Sequence, residues 1–358
     1  PGKFPGGNPS SRHFEGREAR DALEDARNRC AAALGVPAKH LFFTSGGTEA
    51  NALVLLSTLF RSRGDILASA VEHPSISENC LALERLGKRT APIAVERDGR
   101  VSVETLEAAL KKYPETRLAA IMGVNNETGG VMDLSGLIGR IRNRKGAPAH
   151  VHCDLVQAIG KVPLDLTALD LDSASISAHK LGGPRGTGLL YLRKDLDPLY
   201  RGGGQESGKR PGTENIAGAL ALADCLERRL NPDTLEGEYE AAASRWKILI
   251  QTLRGVDRAS LIPRDREDRD PRFSPYILQA AFQGIPGEVM ARSLDDAGFA
   301  VSTGSACSSA SGKRPILAAM GVDEKTAFEG IRISQGWSTP AGDVESLINA
   351  VGEILKTL

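Results

Sequence analysis

The sequence Leu41-Phe42-Phe43-Thr44-Ser45-Gly46-Gly47-Thr48-Glu49 joins a short apolar run to a pair of glycines. The apolar run predicts a strand, the glycines predict a tight turn, and Thr48 to Phe60 predicts a helix. Glycines let the backbone approach an anion, and a helix N-terminus offers free N–H groups, so a phosphate would sit well at this turn. An N-cap turn with Thr48 as the capping residue explains the same pattern without any ligand.

Strands and helices alternate along the chain on both sides of this turn. The predicted strands include residues 66–70, 118–124 and 149–153, and the predicted helices include residues 14–34, 103–112 and 134–145. This alternation is typical of an α/β fold with a mostly parallel sheet covered on both faces. Such sheets bind ligands at the carboxyl ends of their strands, where the loops gather.

The pattern changes after Asn231-Pro232-Asp233, which breaks the preceding helix. A long helix, a charged loop, a strand, a second helix and a last strand follow at residues 235–253, 263–273, 276–282, 287–297 and 331–334. This order predicts a smaller α+β unit. We therefore predict a large domain at residues 14–232 and a small domain at residues 233–358, to which residues 1–13 also belong.

The charge composition excludes several classes of partner. The 358 residues carry 45 Lys and Arg and 45 Asp and Glu, so the net charge is zero, and 41% of the residues are hydrophobic. Nucleic-acid and membrane surfaces need a basic excess on one face, so neither is predicted. Acidic residues interleave the arginines of residues 264–270, which predicts a solvated loop there rather than a binding tail.

The five cysteines are scattered and form no Cys-x-x-Cys pair. This distribution argues against a disulfide scaffold or a structural zinc site and fits a reducing compartment, so we predict a cytoplasmic protein. No apolar run reaches the length of a membrane span, and the residues from Pro1 to Gly7 do not form a signal peptide.

Three polar side chains lie on one face at the end of the predicted strand 149–153. Period-two alternation places His150, His152 and Asp154 together, with Gln157 three residues further on. Asp154 could keep the nitrogen of a pyridine cofactor protonated, so that the ring acts as an electron sink. The two histidines and Asp154 could instead bind a metal, or simply form a hydrogen-bonded strand end.

Other candidate residues follow strands in the same way. Lys180 ends the run Ser173 to Lys180 and precedes Leu181-Gly182-Gly183; it is either a surface charge or a partly buried Schiff-base former. His73 follows a strand end and could stack on a planar cofactor, and Arg332 could hold a carboxylate with two hydrogen bonds. Cys307 lies in a run of small residues from Ser302 to Ser311, which predicts a mobile loop that carries a thiol.

Taken together, these motifs resemble a known family. The chain is similar to the cysteine desulfurases of the NifS/IscS type, which are class V aminotransferase-like, fold-type-I pyridoxal phosphate enzymes. The matching segments run in family order over nearly the whole chain. They are residues 7–11, Thr44 to Asn51, Glu72-His73, Val124 to Gly129, His152 to Gln157, Ser177 to Lys180, Gly202 to Glu206, Arg210 to Thr213, Ser302 to Ser311 and Arg332-Ile333-Ser334.

The resemblance implies a role for each matching residue. Lys180 would form the Schiff base with pyridoxal 5′-phosphate, Asp154 would pair with the ring nitrogen, Gln157 would contact the phenolic oxygen, and His73 would stack on the ring. Gly47, Thr48, Ser177 and His179 would hold the phosphate. Thr213 would reach the phosphate of the neighbouring subunit, which implies a homodimer. Asn126 and Arg332 would bind the substrate carboxylate. No metal is expected, since Asp154 serves the ring.

The implied reaction removes sulfur from L-cysteine. Lys180 would take the Cα proton, and Cys307 as a thiolate would attack the substrate sulfur, leaving alanine and a persulfide on Cys307. The persulfide would pass to an acceptor protein or an Fe–S scaffold. The alternatives are a selenocysteine lyase, a class V aminotransferase, or a catalytically silent sulfur-relay or scaffold protein on the same fold.

The chain departs from the family pattern at three places. The family begins with a strand and an Ala-Thr-Thr loop before Gly-Asn-Pro-Ser-Ser, whereas seven residues precede Asn8 here, so we expect an incomplete active-site rim. Gly336-Trp337 replaces the usual Gly-Arg, and Gly312-Lys313-Arg314-Pro315 differs from the usual sequence after the cysteine. We expect the last two changes to affect loop motion and partner choice more than the chemistry.

Overall fold

The structure is a computed structural model that describes residues 6–60, 64–146, 148–304 and 314–358. The chain divides into two compact units. Unit 1 comprises Pro1–Ile93, Leu106–Gly123 and Asp133–Leu235, and unit 2 comprises Ala94–Thr105, Val124–Met132 and Glu236–Leu358. The main division follows Leu235 rather than residue 232. Residues 94–105 and 124–132 join unit 2, and residues 6–13 join unit 1, because spatial contacts rather than chain order define the units.

Unit 1 is built on a mostly parallel sheet. Its strands are β1 (Leu41–Thr44), β2 (Asp65–Ser69), β3 (Arg89–Ile93), β4 (Thr116–Ala120), β5 (His150–Asp154), β6 (Ser173–Ser177) and β7 (Gly188–Leu192). Within the described residues they pair in the order β1-β7-β6-β5-β4-β2-β3, and only the pairs made by β7 are antiparallel. The helices as far as residue 229 are α1 (Phe14–Leu34), α2 (Gly47–Ser57), α3 (Pro74–Arg85), α4 (Val103–Lys112), α5 (Leu134–Arg142) and α6 (Ile216–Arg229).

The central strands are buried along their whole length, as expected where helices cover both faces of a parallel sheet. The apolar side chains of α2, such as Leu53 and Val54, pack with Ile66, Leu118 and Leu190 of the strands. The polar residues of β5 and β6 therefore lie in an otherwise apolar interior. Buried polar groups need hydrogen-bond partners, and these strands accordingly take part in a polar network that runs from His150 and Ser173 at their amino ends to Asp154 at the carboxyl end of β5.

Unit 2 contains a three-stranded antiparallel sheet within the described residues, in the order β10-β9-β8. Its strands are β8 (Ala259–Ile262), β9 (Ile277–Phe282) and β10 (Gly330–Ser334), and the helices are α7 (Pro232–Arg254), α8 (Gly287–Asp296), α9 (Pro315–Ala319), α10 (Glu324–Phe328) and α11 (Gly342–Thr357). Trp246, Leu278, Phe282 and Ile331 belong to its core. This sheet carries Arg332 on β10.

Two local predictions are wrong. The strand predicted at 118–124 ends at Ala120. The charged loop at 263–273 is not simply solvated, because Arg266 is only 2% exposed. No helix among the described residues combines the length and apolar character that a membrane span requires.

Candidate active site

The turn between β1 and α2 lies against the end of β6 in unit 1. A Cβ atom on Gly46 would lie 3.6 Å from Ser177 Oγ, and one on Gly47 would lie 2.6 Å from Val156 Cγ2, so glycine is required at residue 47. Ser177 Oγ is 2.8 Å from His179 Nδ1. The capping residue of α2 is Gly46 rather than Thr48, and glycine has no side chain with which to cap the helix. The first N–H groups of α2 and the Ser177 hydroxyl can therefore hold an anion.

Asp154 ends β5 and is held by two hydrogen bonds. Its Oδ2 accepts from Asn51 Nδ2 at 2.8 Å, and its Oδ1 accepts from the backbone N–H of Val156 at 3.0 Å. Asn51 Nδ2 also donates to Ser75 Oγ at 2.8 Å, and Ser75 Oγ lies 2.8 Å from His73 Nδ1. The structure thus joins the predicted residues Asp154 and His73 through Asn51 and Ser75, for which the sequence suggested no role.

The histidines of β5 extend this network away from Asp154. His152 Nε2 lies 2.8 Å from Asn51 Oδ1, and its Nδ1 lies 2.8 Å from Ser173 Oγ, which also pairs with His150 Nε2 at 2.8 Å. Burial lowers the pKa of His152 to about 3, so this imidazole is neutral. Both its nitrogens serve hydrogen bonds, and among the described residues no three His, Cys, Asp or Glu side chains are grouped to hold a metal.

Lys180 lies in a short 3-10 turn (Ala178–Leu181) that directly follows β6. Gly182 closes this turn with φ 88°, and the Gly183 N–H donates to Ala178 O at 2.9 Å. The lysine side chain is half-buried. Burial, then the charges of Lys180 and Lys161, lower the pKa of His179, so a neutral imidazole accompanies Lys180 at the end of β6. This is an environment in which a lysine can serve as a base or nucleophile.

The remaining predicted residues of unit 1 lie at the same strand ends or in an exposed segment. Gln157 Oε1 accepts from Lys161 Nζ at 2.6 Å. Thr213 is exposed. The chain before it is anchored by Glu206, whose carboxylate accepts two hydrogen bonds from Arg27 at 2.7 and 2.8 Å and one from the Phe43 N–H at 2.7 Å. A buried carboxylate held this way fixes the segment that leads to Thr213.

Arg332 and Asn126 lie together in unit 2. Arg332 Nη1 donates to the backbone oxygen of Asn126 at 3.0 Å. Arg332 Nε and Asn126 Oδ1 are buried and have no hydrogen-bond partner within the described ranges. Burial lowers the pKa of Arg332, while the charge of Glu127 opposes this change. Because an unsatisfied buried donor is costly, the Arg332 guanidinium is suited to an anionic ligand such as a carboxylate. Cys307 falls outside the described residues.

One weak signal in the sequence pointed to the residues that pattern analysis did not predict. Asn51 is a polar residue inside the apolar run Ala50 to Leu56, and it is fully buried. A buried amide in the middle of an apolar helix must find partners, and its partners here are Asp154, Ser75 and His152. Their identity could not be predicted, since they lie on other elements.

Glu72 is a buried carboxyl next to His73. Its Oε1 accepts from Ser69 Oγ at 2.6 Å and from the Met122 N–H at 2.7 Å, whereas Oε2 has no partner among the residues that the structure describes. Burial raises its pKa to about 8, and the charge of Asp154 acts in the same direction. Glu72 therefore keeps its proton at neutral pH in the folded protein.

We expect Glu72→Gln to stabilise the protein relative to wild type increasingly as the pH rises from 4.5 to about 8. The unfolded chain releases this proton near pH 4.5 and the folded chain near pH 8, so the stability that the proton contributes is lost across this window. Glutamine has no proton to lose, and the difference should reach the order of a few kcal/mol.

Urea unfolding at about pH 5, 7 and 9 measures this difference. Glu78→Gln, at an exposed position on α3, is the matched control and should change stability equally at each pH. Stability curves for wild type and Glu72→Gln that run parallel across these pH values would contradict the prediction.

The chain is similar to known proteins over almost its whole length. A family model described as aminotransferase class-V matches residues 5–347. The putative cysteine desulfurase IscS 1 of Bacillus subtilis is 35% identical, with 98% of this chain and 92% of the relative covered. A cysteine desulfurase of Cereibacter sphaeroides is 39% identical, with 98% of this chain and 89% of the relative covered. A solved NifS-like protein has a TM-score of 0.89 at 32% identity and covers 99% of this chain and 93% of its own.

A second solved structure agrees with these matches. The NifS-like protein from Rickettsia africae has a TM-score of 0.85 at 29% identity, with 98% of this chain and 92% of that chain covered. The resemblance found in the sequence is confirmed, and so is the predicted α/β fold with a mostly parallel sheet. The chain belongs to the aminotransferase class-V family, among its cysteine desulfurases of the NifS/IscS type.

Proposed function

We propose that this protein is a cysteine desulfurase that converts L-cysteine to L-alanine and leaves the sulfur as a persulfide on Cys307. The observation that carries the proposal is the arrangement at the ends of β5 and β6. There Asp154 is buried and held by Asn51, Lys180 follows Ser177 and His179, and the start of α2 faces Ser177. An acid, a lysine and an anion cradle on adjacent strands suit a phosphorylated pyridine aldehyde.

The residues present fit pyridoxal 5′-phosphate. When bound, this cofactor supplies an electron sink for the charge that develops at the substrate Cα. Gly47, Thr48, Ser177 and His179 would hold the phosphate. Asp154 would pair with the ring nitrogen and keep its proton, Gln157 would contact the phenolic oxygen, and His73 would stack on the ring. Thr213 would reach the phosphate of the neighbouring subunit, so we propose a homodimer.

Different side chains of the protein have different roles in the proposed reaction. Lys180 would hold the cofactor through its aldehyde, and its amine would move the Cα proton of the substrate. Arg332 would bind the substrate carboxylate through its otherwise unsatisfied Nε, and Asn126 would bind it through the N–H groups of its side-chain amide. The Cys307 thiolate forms a bond to the substrate sulfur while the substrate carbon–sulfur bond breaks. Alanine leaves, and the persulfide passes to an acceptor or an Fe–S scaffold protein, which we place in the cytoplasm.

The test is product analysis with L-cysteine, pyridoxal 5′-phosphate and dithiothreitol. We expect alanine and sulfide in equal amounts, without any added 2-oxo acid. Turnover that depends on a 2-oxo acid would indicate an aminotransferase, and release of selenium from selenocysteine without turnover of L-cysteine would indicate a lyase. Bound cofactor without turnover of either substrate would instead favour a silent sulfur-relay or scaffold protein.

A further inference from the structure

The loop at 263–273 of unit 2 hydrogen-bonds along the turn that carries Asn126. The Val131 N–H donates to Arg272 O at 2.8 Å, and the Ser274 N–H donates to Gly129 O at 2.8 Å. Gly129 has φ 79°, and a Cβ on it would lie 2.7 Å from Ile277 O, so the two backbones are in close contact. This turn cannot move without moving the loop.

Arg266 lies at the centre of this contact. Its Nη1 donates to Thr128 O at 3.0 Å and to Ile277 O at 2.8 Å, and its Nη2 donates to Ser274 O at 3.1 Å. The guanidinium also lies over the Phe273 ring, 4.7 Å from its centroid. Three carbonyls and one aromatic face therefore surround a cation that is only 2% exposed.

The charge of Arg266 persists at neutral pH although burial lowers its pKa to about 9. The charge of Asp270 raises the pKa of Arg266 and so offsets part of the effect of burial. No ion pair joins Arg266 to a carboxylate within the described ranges. A buried cation with neutral partners costs stability, so stability alone is a weak reason for an arginine at this position. Orienting the carbonyls that it binds is a role that a hydrophobic residue could not fill.

The carbonyl of Thr128 is two residues from Asn126 in the same turn. Asn125 organises the turn from within, since its Oδ1 accepts from the N–H groups of Glu127 and Thr128, both at 2.9 Å. Asn126 O in turn accepts from Arg332 Nη1 at 3.0 Å. A continuous chain of hydrogen bonds and backbone thus runs from Arg266 through Thr128 to Asn126 and Arg332.

We propose that Arg266 is a positioning residue for the substrate carboxylate, because it fixes the turn that orients Asn126 and Arg332. The inference rests on the proposed function, in which these two residues bind that carboxylate. Small displacements of a binding group weaken its interactions strongly. Removal of Arg266 therefore lowers the affinity for ligands that carry a carboxylate and leaves the affinity for other ligands unchanged.

The experiment compares L-cysteine with cysteamine, which has the same thiol and amine but no carboxylate. Dissociation constants come from the change in absorbance of the bound cofactor. In Arg266→Met we expect L-cysteine to bind about tenfold more weakly, the effect of one hydrogen bond to a charged group, with cysteamine within about twofold of wild type. The KM for L-cysteine should rise in parallel, with kcat changed less than about threefold.

Two milder variants keep the test decisive if Arg266→Met does not fold. Arg266→Lys keeps the charge but cannot reach three carbonyls, and Phe273→Leu removes the aromatic face. Each of these variants should therefore bind L-cysteine about threefold more weakly than the wild type. Arg258→Met is the matched control, because Arg258 donates to Gln283 O and Leu355 O in the same unit without touching the turn. It should leave the ratio of the two dissociation constants unchanged.

Amide hydrogen exchange in the cofactor-free protein gives an independent readout. Residues 124–131 should exchange faster in the Arg266 variants than in wild type or Arg258→Met. Equal weakening of L-cysteine and cysteamine, or unchanged binding of both, would overturn the inference. Failure of the proposed function is distinguishable, since wild-type protein would then show no absorbance change with either ligand and would form no alanine.

Discussion

Lys180→Ala should form alanine from L-cysteine at least about a thousandfold more slowly than the wild type, because it lacks both the nucleophile and the proton carrier. The lysine is half-buried in the turn after β6, beside His179 and Ser177. Lys180→Arg should be as inactive, because a guanidinium keeps its proton and cannot attack an aldehyde. The folded state should persist in both variants.

Borohydride reduction identifies the lysine that carries the cofactor. Mass spectrometry of wild-type peptides should place the reduced cofactor on Lys180, and the Lys180→Ala protein should release its cofactor on denaturation. Lys161→Ala is the matched control, because Lys161 Nζ donates to Gln157 Oε1 at 2.6 Å and its charge also lowers the pKa of His179. This control should retain the covalent link, and cofactor bound to Lys161 in the wild type would contradict the assignment of Lys180.

Cys307→Ala should lose at least about a hundredfold in the formation of sulfide and alanine, because the substrate sulfur then has no thiolate to receive it. The other four cysteines are poor replacements. Burial raises the pKa of Cys30 and of Cys80 to about 12, and raises that of Cys153 well above its ordinary value. Burial also raises the pKa of the half-buried Cys225. A thiol with a raised pKa carries little thiolate at neutral pH.

The Cys307 variant should still bind the cofactor and still change its absorbance when L-cysteine is added, since the groups that hold the cofactor and the carboxylate are intact. Cys225→Ala, the least buried of the described cysteines, is the control and should keep full activity. Mass spectrometry of wild-type protein after brief exposure to L-cysteine should find an added sulfur on Cys307. Full activity in Cys307→Ala would count against the desulfurase and favour a lyase of the selenocysteine type.

Local sequence pattern predicted much of unit 1 and several residues of its site. The alternation of strands and helices indicated the mostly parallel sheet, because covered strands read as short apolar runs and covering helices as amphipathic ones. Asp154, Lys180 and His73 were predicted because each follows a strand, and the carboxyl ends of parallel strands lie at one edge of a sheet. The roles of these residues remain predictions that the variants above test.

The partners of those residues could not be predicted in the same way. Asn51 holds Asp154 across 103 positions of chain, and Glu206 holds Phe43 across 163. Acidic neighbours suggested that Arg266 is solvated, yet its guanidinium binds three carbonyls, one of Thr128 and two in the segment from Ser274 to Ile277. Charge composition describes how well a segment is solvated on average, whereas burial depends on which other segments pack on it.

Spacing along the chain therefore determined the fold class, the residues at the strand ends and the family. Folding determined which buried groups are satisfied, which are left for a ligand, and which side chains orient others. The physical reason is the distance along the chain over which each kind of interaction acts. Periodicity and turn chemistry act over a few residues, whereas a buried amide, carboxyl or guanidinium takes its partners from whichever distant segments the packed core brings to it.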